Sequence, residues 1–389
     1  MQKRGENTWR LHIFVGRHPV SKKPIYQSRT FHRPKKEADR LLRELVRDYE
    51  LGRVSEPSRQ SLGQFLEEWL DKSARQKVRA RTLQDYRKLL RTYIQDTLGF
   101  VPLGKVTPMQ IQSLYSALSD GASPGAGVAA RDPLSPRTIR NLHFTHKQAL
   151  QQAVRWRLIP HNPAVDVELP RAKTRHDRHV LRPLTPSQVR LFLKAVEGDR
   201  FKVLFHLLLG TGMRPGEALG LKWSCVDFQY GAIRVEQALV RVFGTGGGWR
   251  LEEPKTAKSR RTIPIPPELA SLLEQHREKQ AVEKQFAGAR WQEHDFVFAA
   301  NQGQPLHELN IVKRHFKPAL VKAGLPSYIR LYDIRHTHAT ALLLMGESEK
   351  VISERLGHST TVLTMDTYCA VLPTMQKAAA AKVGSFLYG

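Results

Sequence analysis

Three short clusters in the C-terminal half of the sequence carry side chains that are suited to chemistry on a phosphate ester. They comprise residues 211–219, which include Arg214 and Glu217, residues 331–337, which include Tyr332 and Arg335, and residues 356–358, which end at His358. A guanidinium presents a rigid fork of N–H donors and keeps its proton near neutral pH. Arg214 and Arg335 are therefore suited to hold the two non-bridging oxygens of one phosphodiester, which a lysine would hold less well.

In their order and spacing these clusters resemble the catalytic set of the tyrosine recombinase family, and of phage-type integrases in particular. Tyr368 follows the last cluster, and Pro254, Lys255 and Thr256 stand between the first two, as in that family. The resemblance covers the whole chain and is most specific over residues 185–372. It implies an enzyme that breaks and rejoins DNA through a covalent 3′-phosphotyrosine bond, without a metal, ATP or any other cofactor.

The resemblance assigns the nucleophile to Tyr368, since residues 369–373 match the run that follows the family's nucleophile. An unperturbed phenol has a pKa near ~10, so only about one molecule in a thousand is ionised at neutral pH. Lowering that pKa to neutrality corresponds to about 4 kcal/mol. Two nearby arginines, together with proton acceptance by the phosphate, could supply this free energy. We therefore expect Tyr368 to depend on Arg214 and Arg335.

Two further catalytic positions are taken from the resemblance. It implies that Lys255 protonates the leaving 5′-oxygen, with Lys258 as the nearest alternative. Lys255 is favoured because Ser259 and Arg261 behind it match the family's strand-loop-strand in phase. The resemblance also implies that His358 donates a hydrogen bond to the phosphate.

Glu217 and Tyr332 complete the predicted site. Glu217 lies one helical turn after Arg214, where an ion pair between neighbouring turns can orient the guanidinium. Tyr332 departs from the commonest family pattern, in which a histidine stands three residues before the second arginine. A histidine can exchange a proton near neutral pH, whereas a tyrosine mainly offers a hydroxyl hydrogen bond. We therefore predict that Tyr332 contacts the phosphate or the nucleophile rather than acting as a base.

The composition indicates a nucleic-acid partner. The chain has 389 residues and a formal net charge of +26, with the basic excess spread along its whole length. Each Lys or Arg that meets a DNA phosphate releases a condensed counterion and stabilises the complex. No apolar run approaches the ~20 residues of a membrane span, and residues 1–10 lack an apolar signal, so we expect no membrane and a cytoplasmic location. The 2 cysteines and the spacing of the histidines predict no metal site.

Residues 1–58 are expected to form a small module that binds arm-type DNA sites. Residues 8–15 and 24–31 alternate apolar and polar side chains around a basic turn, which predicts an antiparallel sheet. A helix from Lys35 to about Leu51 follows, with an apolar stripe that can cover the sheet. A dimerisation module or a structural cap is the alternative.

Residues 59–169 are predicted to form a helical core-binding bundle. Apolar residues recur at helical spacing from Ser61 on, and Thr107 and Ser135, each followed by proline, mark further helix starts. The basic side chains expected to contact the DNA backbone are Arg75, Lys77, Arg79 and Arg81. A solvated charged surface is the alternative for these side chains.

Residues 170–183 are predicted to be a basic linker that crosses the DNA, since prolines stand at both ends and apolar content is low. Its expected DNA contacts are Arg171, Lys173 and Arg175. The catalytic domain at 184–389 begins with a capping box at Thr185 and shows strand-like alternation over residues 232–265, which predicts an α+β domain. The fold class is therefore mainly α with small β elements.

Together these features predict a site-specific DNA recombinase, an integrase that inserts and excises a mobile element or phage genome. The resemblance implies a homo-tetramer that binds core and arm attachment sites on double-stranded DNA. It also implies that strand exchange passes through a Holliday junction. Accessory proteins that bend DNA or set direction, from the host or the element, are expected as further partners. A type IB topoisomerase is an alternative that the N-terminal module disfavours. A non-catalytic DNA-binding regulator is a second alternative, but it has no need for the whole catalytic set.

Overall fold

The computed structural model describes residues 1–17, 24–32, 34–50, 60–122, 132–171, 183–242, 248–253, 259–357 and 372–388. Contacts divide the chain into two compact units, Met1–Arg175 and His176–Gly389. The border falls inside the predicted linker at 170–183, of which residues 172–182 lie outside the described ranges. The further division of the first unit at residue 58 stays a prediction.

The N-terminal part of the first unit is a three-stranded antiparallel sheet with one helix. Its elements are β1 (Gln2–Gly5), β2 (Thr8–Arg17), β3 (Pro24–His32) and α1 (Lys35–Glu50), in the strand order β1-β2-β3. Strand β1 is an addition to the two strands predicted from the sequence. Leu11 on β2 and Ala38 on α1 are fully buried, because the helix covers one face of the sheet. Phe14 and Tyr26 remain exposed and pack edge to face, with their ring centroids 5.8 Å apart.

The rest of the first unit is a helical bundle, as predicted. Its helices are α2 (Leu62–Trp69), α3 (Arg75–Lys77), α4 (Ala80–Leu90), α5 (Pro108–Asp120) and α6 (Pro136–Arg155). Two π-helical turns, Leu70–Ala74 and Arg91–Gln95, continue α2 and α4. Ser61 and Thr107 begin α2 and α5 with capping boxes, in which the hydroxyl and a following glutamine satisfy backbone amides that the helix leaves unpaired.

A polar cluster of Tyr115, His143 and His146 lies inside the apolar core of this bundle. His146 is fully buried, and the Tyr115 hydroxyl lies 3.4 Å from its Nδ1. Burial, which would strip the charged imidazolium of its hydration, and then the nearby His143 together lower the pKa of His146 to about 3. His146 is therefore neutral in the folded protein near neutral pH.

Most of the helices in the described ranges lie in the second unit. They are α7 (Pro186–Ala195), α8 (Lys202–Thr211), α9 (Pro215–Leu219), α10 (Pro267–Ala287), α11 (Glu308–Ile311), α12 (Lys317–Lys322), α13 (Asp333–Leu344), α14 (Glu349–Leu356) and α15 (Leu372–Tyr388). Helix α7 begins with the predicted capping box at Thr185. In the core, Phe192 packs edge to face against Phe205 and Phe316, at centroid distances of 5.5 and 5.6 Å.

Two small antiparallel sheets lie in the described part of the second unit, and four of their five strands fall within residues 232–265, where strand alternation is predicted. Their strands are β4 (Val226–Asp227), β5 (Ala232–Val235), β6 (Ala238–Val242), β7 (Gly248–Glu252) and β8 (Arg261–Pro264). One sheet has the order β4-β5-β8 and the other pairs β6 with β7. The chain is thus mainly helical with small sheets, and the predicted fold class is confirmed. Within the described ranges, no helix is both long enough and apolar enough to cross a membrane.

The buried His146 leads to a prediction about stability in acid. Between about pH 6.5 and its lowered pKa of about 3, the unfolded chain binds a proton there that the folded chain excludes. The free energy of unfolding should therefore fall as the pH is lowered through this range, by up to ~1.4 kcal/mol per pH unit. Urea unfolding at about pH 7 and about pH 5 should show a loss roughly 2 kcal/mol larger for the wild type than for His146→Leu.

The exposed His161 provides the matched control for this measurement. His161→Leu should keep the full pH dependence of the wild type. If the free energy of unfolding falls equally in the wild type and in His146→Leu between these pH values, His146 is not a buried, neutral histidine.

Candidate active site

Arg214 lies in the tight turn that joins α8 to α9. Helix α8 ends at Thr211, and Gly212 adopts a left-handed φ of 65°. A Cβ at Gly212 would lie 2.5 Å from Cδ2 of His338, so the close approach also requires glycine. The turn that carries Arg214 therefore packs directly against α13.

A buried carboxylate, Glu217, holds Arg214 from two sides. Its Oε1 accepts a hydrogen bond from Nη1 of Arg214 at 2.7 Å, and its Oε2 accepts one from the Arg214 backbone N–H at 2.9 Å. Only 4% of the Glu217 side chain is exposed. Burial acts to raise the pKa of Glu217, but Arg261 and Arg214 outweigh it and hold that pKa below its usual value. The carboxylate therefore stays ionised and fixes the direction of the guanidinium.

Arg335 projects from the first turn of α13 and is 2% exposed. Its Nη1 donates to the carbonyl of Gly212 at 2.8 Å, and its Nη2 donates to the carbonyl of Leu356 at 2.7 Å. Burial, and then the positive charge of Arg214, lower the pKa of Arg335 to about 10. The guanidinium is still charged at neutral pH, although carbonyl groups rather than a carboxylate accept these two hydrogen bonds.

The C-terminal end of α14 anchors three arginines. Carbonyl oxygens of three successive residues each accept a hydrogen bond from a different guanidinium. The pairs are Arg355 O with Arg261 Nε at 2.6 Å, Leu356 O with Arg335 Nη2 at 2.7 Å, and Gly357 O with Arg214 Nη2 at 3.2 Å. Carbonyls at a helix C-terminus lack partners within the helix and carry a partial negative charge, which favours cations there.

Tyr332 lies immediately before α13 and is 39% exposed. Its ring packs edge to face against His336, with 5.3 Å between the centroids. Burial acts to lower the pKa of Arg214, but Glu217 and then the Tyr332 hydroxyl outweigh it, so that pKa is raised. Tyr332 therefore lies beside Arg214, and these two are the more exposed members of a group whose other members are buried.

The structure brings together four of the residues that the sequence predicted for the site. They are Arg214, Glu217, Tyr332 and Arg335. Lys255 and its alternative Lys258, together with His358 and Tyr368, lie outside the described residues. Lys255 belongs to the segment between β7 and β8, and His358 directly follows Gly357 in the sequence.

The predicted DNA contacts of the helical bundle lie on or near α3. Arg75, Lys77 and Arg81 are exposed, and Arg79 is half-buried. Arg81 also pairs with Asp85, with 3.5 Å between Nε and Oδ1. In the linker, Arg171 is exposed, whereas Lys173 and Arg175 lie outside the described residues.

A cleft of about 380 Å³ between α6 and the segment that ends in α3 was not anticipated from the sequence. Its polar lining comes mainly from basic and amide side chains: Lys77, Lys147, Gln148, Gln151, Gln152 and Arg155. The exposed ring of Phe144 also lines it. Helix α6 has 20 residues and contains no Asp or Glu. This lack of acidic residues is the sequence signal that could have identified the surface.

Comparison with known proteins connects this arrangement to one family. The sequence signature of the phage integrase family matches residues 182–375, and that of the phage integrase N-terminal SAM-like domain matches residues 61–119. A tyrosine recombinase XerC-like protein of Caldanaerobacter subterraneus subsp. tengcongensis is 29% identical over 383 residues, 95% of this chain and 94% of that protein. Tyrosine recombinase XerC of Chlamydia muridarum is 30% identical over 251 residues, 62% of this chain and 70% of that protein.

A solved structure shows the same fold. The integrase of transposon Tn1549, determined in complex with transposon right end DNA, matches with a TM-score of 0.64 at 24% identity. The match covers 82% of this chain and 100% of that one. The two family signatures and the recombinase relatives confirm the resemblance found in the sequence, and the chain belongs to the phage integrase family of tyrosine recombinases.

Proposed function

We propose that this chain is a site-specific DNA recombinase, an integrase that cleaves and rejoins DNA through a 3′-phosphotyrosine bond to Tyr368. The observation that carries the proposal is the pair of guanidinium groups of Arg214 and Arg335, which successive carbonyls at one helix end hold side by side. The hydrogen bonds described above use only some of the N–H donors of each group. The remaining donors suit the non-bridging oxygens of a phosphodiester.

In the proposed cleavage step, the Tyr368 oxygen attacks phosphorus while the bond to the 5′-oxygen breaks. Arg214 and Arg335 stabilise the charge on the non-bridging oxygens, and the phenol proton passes to a phosphate oxygen. Lys255 gives a proton to the departing 5′-oxygen, and His358 donates a hydrogen bond to the phosphate. A 5′-hydroxyl can then attack the phosphotyrosine and rejoin the strand, because the ester keeps the energy of the broken bond.

The proposed substrate is double-stranded DNA at core and arm attachment sites, with residues 1–58 binding the arm sites. The net charge of +26 supports a DNA partner, as does the DNA in the structure of the Tn1549 integrase. The family resemblance supports a homo-tetramer that acts on two duplexes in a bacterial cytoplasm. It also supports accessory proteins that bend DNA or set the direction of recombination.

The cleft beside α6 is the proposed DNA-reading surface of the helical bundle. An α-helix fits the major groove, and glutamine can bind N6 and N7 of adenine with two hydrogen bonds. Gln148 and Gln151 are exposed on α6, and Lys77 and Arg155 line the same cleft. The proposal assigns base edges to the glutamines and phosphates to the cations. Further backbone contacts are assigned to Arg75, Arg79, Arg81 and Arg171, and to Lys173 and Arg175 of the linker.

Replacing the nucleophile tests the enzymatic proposal directly. Tyr368→Phe removes the attacking oxygen, so it should abolish covalent protein–DNA adducts on a nicked suicide substrate while DNA binding persists. Denaturing gels of the reaction measure the adduct, and mobility shifts measure binding. An adduct that survives in Tyr368→Phe, or none in the wild type, would contradict the proposal. Relaxation of supercoiled DNA without recombination would instead identify a topoisomerase.

Arg335→Lys keeps a positive charge but loses the rigid fork that holds two oxygens. We expect single-turnover cleavage to slow by roughly 10³-fold or more, the range seen when such an arginine is lost in phosphoryl transfer. The exposed Arg330, which pairs with Asp333 at 2.7 Å, offers a matched control in Arg330→Lys. Equal rates for both lysine variants would argue against a phosphate clamp at Arg335.

The two kinds of residue in the α6 cleft should differ in their effect on binding. Lys77→Ala should weaken binding to every sequence alike and reduce the slope of log affinity against log salt by about 1. Gln151→Ala should leave that slope unchanged and reduce discrimination at particular A·T pairs by about 1–3 kcal/mol. Fluorescence anisotropy at several salt concentrations, with cognate and mismatched core sites, makes the measurement. Unchanged binding in both variants would exclude this cleft as a DNA surface.

A further inference from the structure

Arg261, the first residue of β8, makes contacts that the proposed mechanism does not use. Its side chain is only 6% exposed. Its Nη2 donates to Oε2 of Glu217 at 2.9 Å, and its Nε donates to the carbonyl of Arg355 at 2.6 Å. Its Nη1 donates to the carbonyl of Ser259 at 3.2 Å. One side chain therefore links β8 to α9 and to the end of α14.

These contacts connect Arg261 to both arginines, Arg214 and Arg335, that are proposed to hold the phosphate. Each carboxylate oxygen of Glu217 accepts hydrogen bonds from both Arg214 and Arg261. The Arg355 carbonyl lies directly before the two carbonyls that hold Arg335 and Arg214. A shift of Arg261 would thus move the carboxylate that orients one arginine and the helix end that anchors both.

Arg261 occupies this place against electrostatic repulsion. Burial is the main cause of the lowered pKa of Arg335 and of Arg355, and the charge of Arg261 lowers both pKa values further. A well-packed apolar side chain is often at least as stabilising at a buried position as an ion pair. A bound anion such as a DNA phosphate would offset the repulsion that this added positive charge causes.

We propose that Arg261 is a positioning residue for DNA cleavage, an inference that rests on the proposed function. It holds Glu217, and through it Arg214, in the orientation that the scissile phosphate requires, and it holds the helix end from which His358 follows. A lysine cannot replace it, because its single ammonium cannot span the carboxylate and the helix carbonyl in one fixed plane. Packing restricts the guanidinium further, since a Cβ at Gly357 would lie 3.0 Å from its Nη1.

The first experiment compares cleavage and binding by the full chain. Arg261→Lys and Arg261→Gln should cleave a nicked suicide substrate about 100-fold more slowly, the loss expected when a reacting group is misplaced by about 1 Å. Their DNA affinity should stay near that of the wild type. Arg260→Gln is the matched control, because Arg260 is the adjacent arginine, is 57% exposed and pairs with Glu253. It should cleave at the wild-type rate.

Two further measurements separate positioning from a purely structural role. The double variant Arg261→Gln/Glu217→Gln should cleave DNA no more slowly than the slower of the two single variants, because both residues act through one contact. On a substrate with a methylphosphonate at the scissile position, one charged oxygen is absent, so the loss in Arg261→Gln should shrink to below about tenfold. If Arg261→Gln does not fold, the same measurements are made on Arg261→Lys, which keeps the charge.

The outcomes distinguish this inference from the function on which it rests. Wild-type rates in both Arg261 variants overturn the inference. The inference is also overturned if the losses of cleavage rate in Arg261→Gln and Glu217→Gln add fully in the double variant. It is overturned as well if Arg261→Gln loses the same factor in rate on the phosphate and methylphosphonate substrates. If the wild type forms no covalent adduct, the proposed function itself fails.

Discussion

The end of helix α14 is the feature on which the arrangement of the candidate active site in the second unit depends. A helix terminus leaves carbonyl oxygens without partners, and three guanidinium groups take the place that water would otherwise fill. These arginines come from the turn before α9, from β8 and from α13. One helix end therefore holds together elements that are distant in sequence, and Glu217 adds a buried carboxylate between two of the arginines.

This arrangement gathers positive charge where little water can screen it. Burial and the neighbouring Arg214 lower the pKa of Arg335 to about 10, so the cation is present but less stable than it would be in water. Groups fixed in this way need no reorganisation when charge develops on a bound phosphate. The site thus gives up some stability for the fixed orientation of its donors, which is the usual relation between stability and an active site.

Much of the fold could be predicted from the sequence because its signals are local. The capping boxes that begin α2, α5 and α7 involve residues three apart, and alternation of apolar residues revealed β2, β3 and β5 to β8. The motif order identified the family, and with it Arg214, Glu217, Tyr332 and Arg335 as one group. The short strands β1 and β4 and the α6 cleft were missed, since none of them has a strong periodic pattern.

The sequence by itself determined the fold class, the starts of α1, α2, α5, α6 and α7, and the residue types available for phosphate chemistry. Only the tertiary structure decided how those residues are held. Arg261 reaches Glu217 across 44 positions of the chain and the Arg355 carbonyl across 94. Hydrogen bonds between residues so far apart leave no periodic or spacing signal. The role of Arg261 becomes visible because the packing of β8, α9 and α14 brings its partners together.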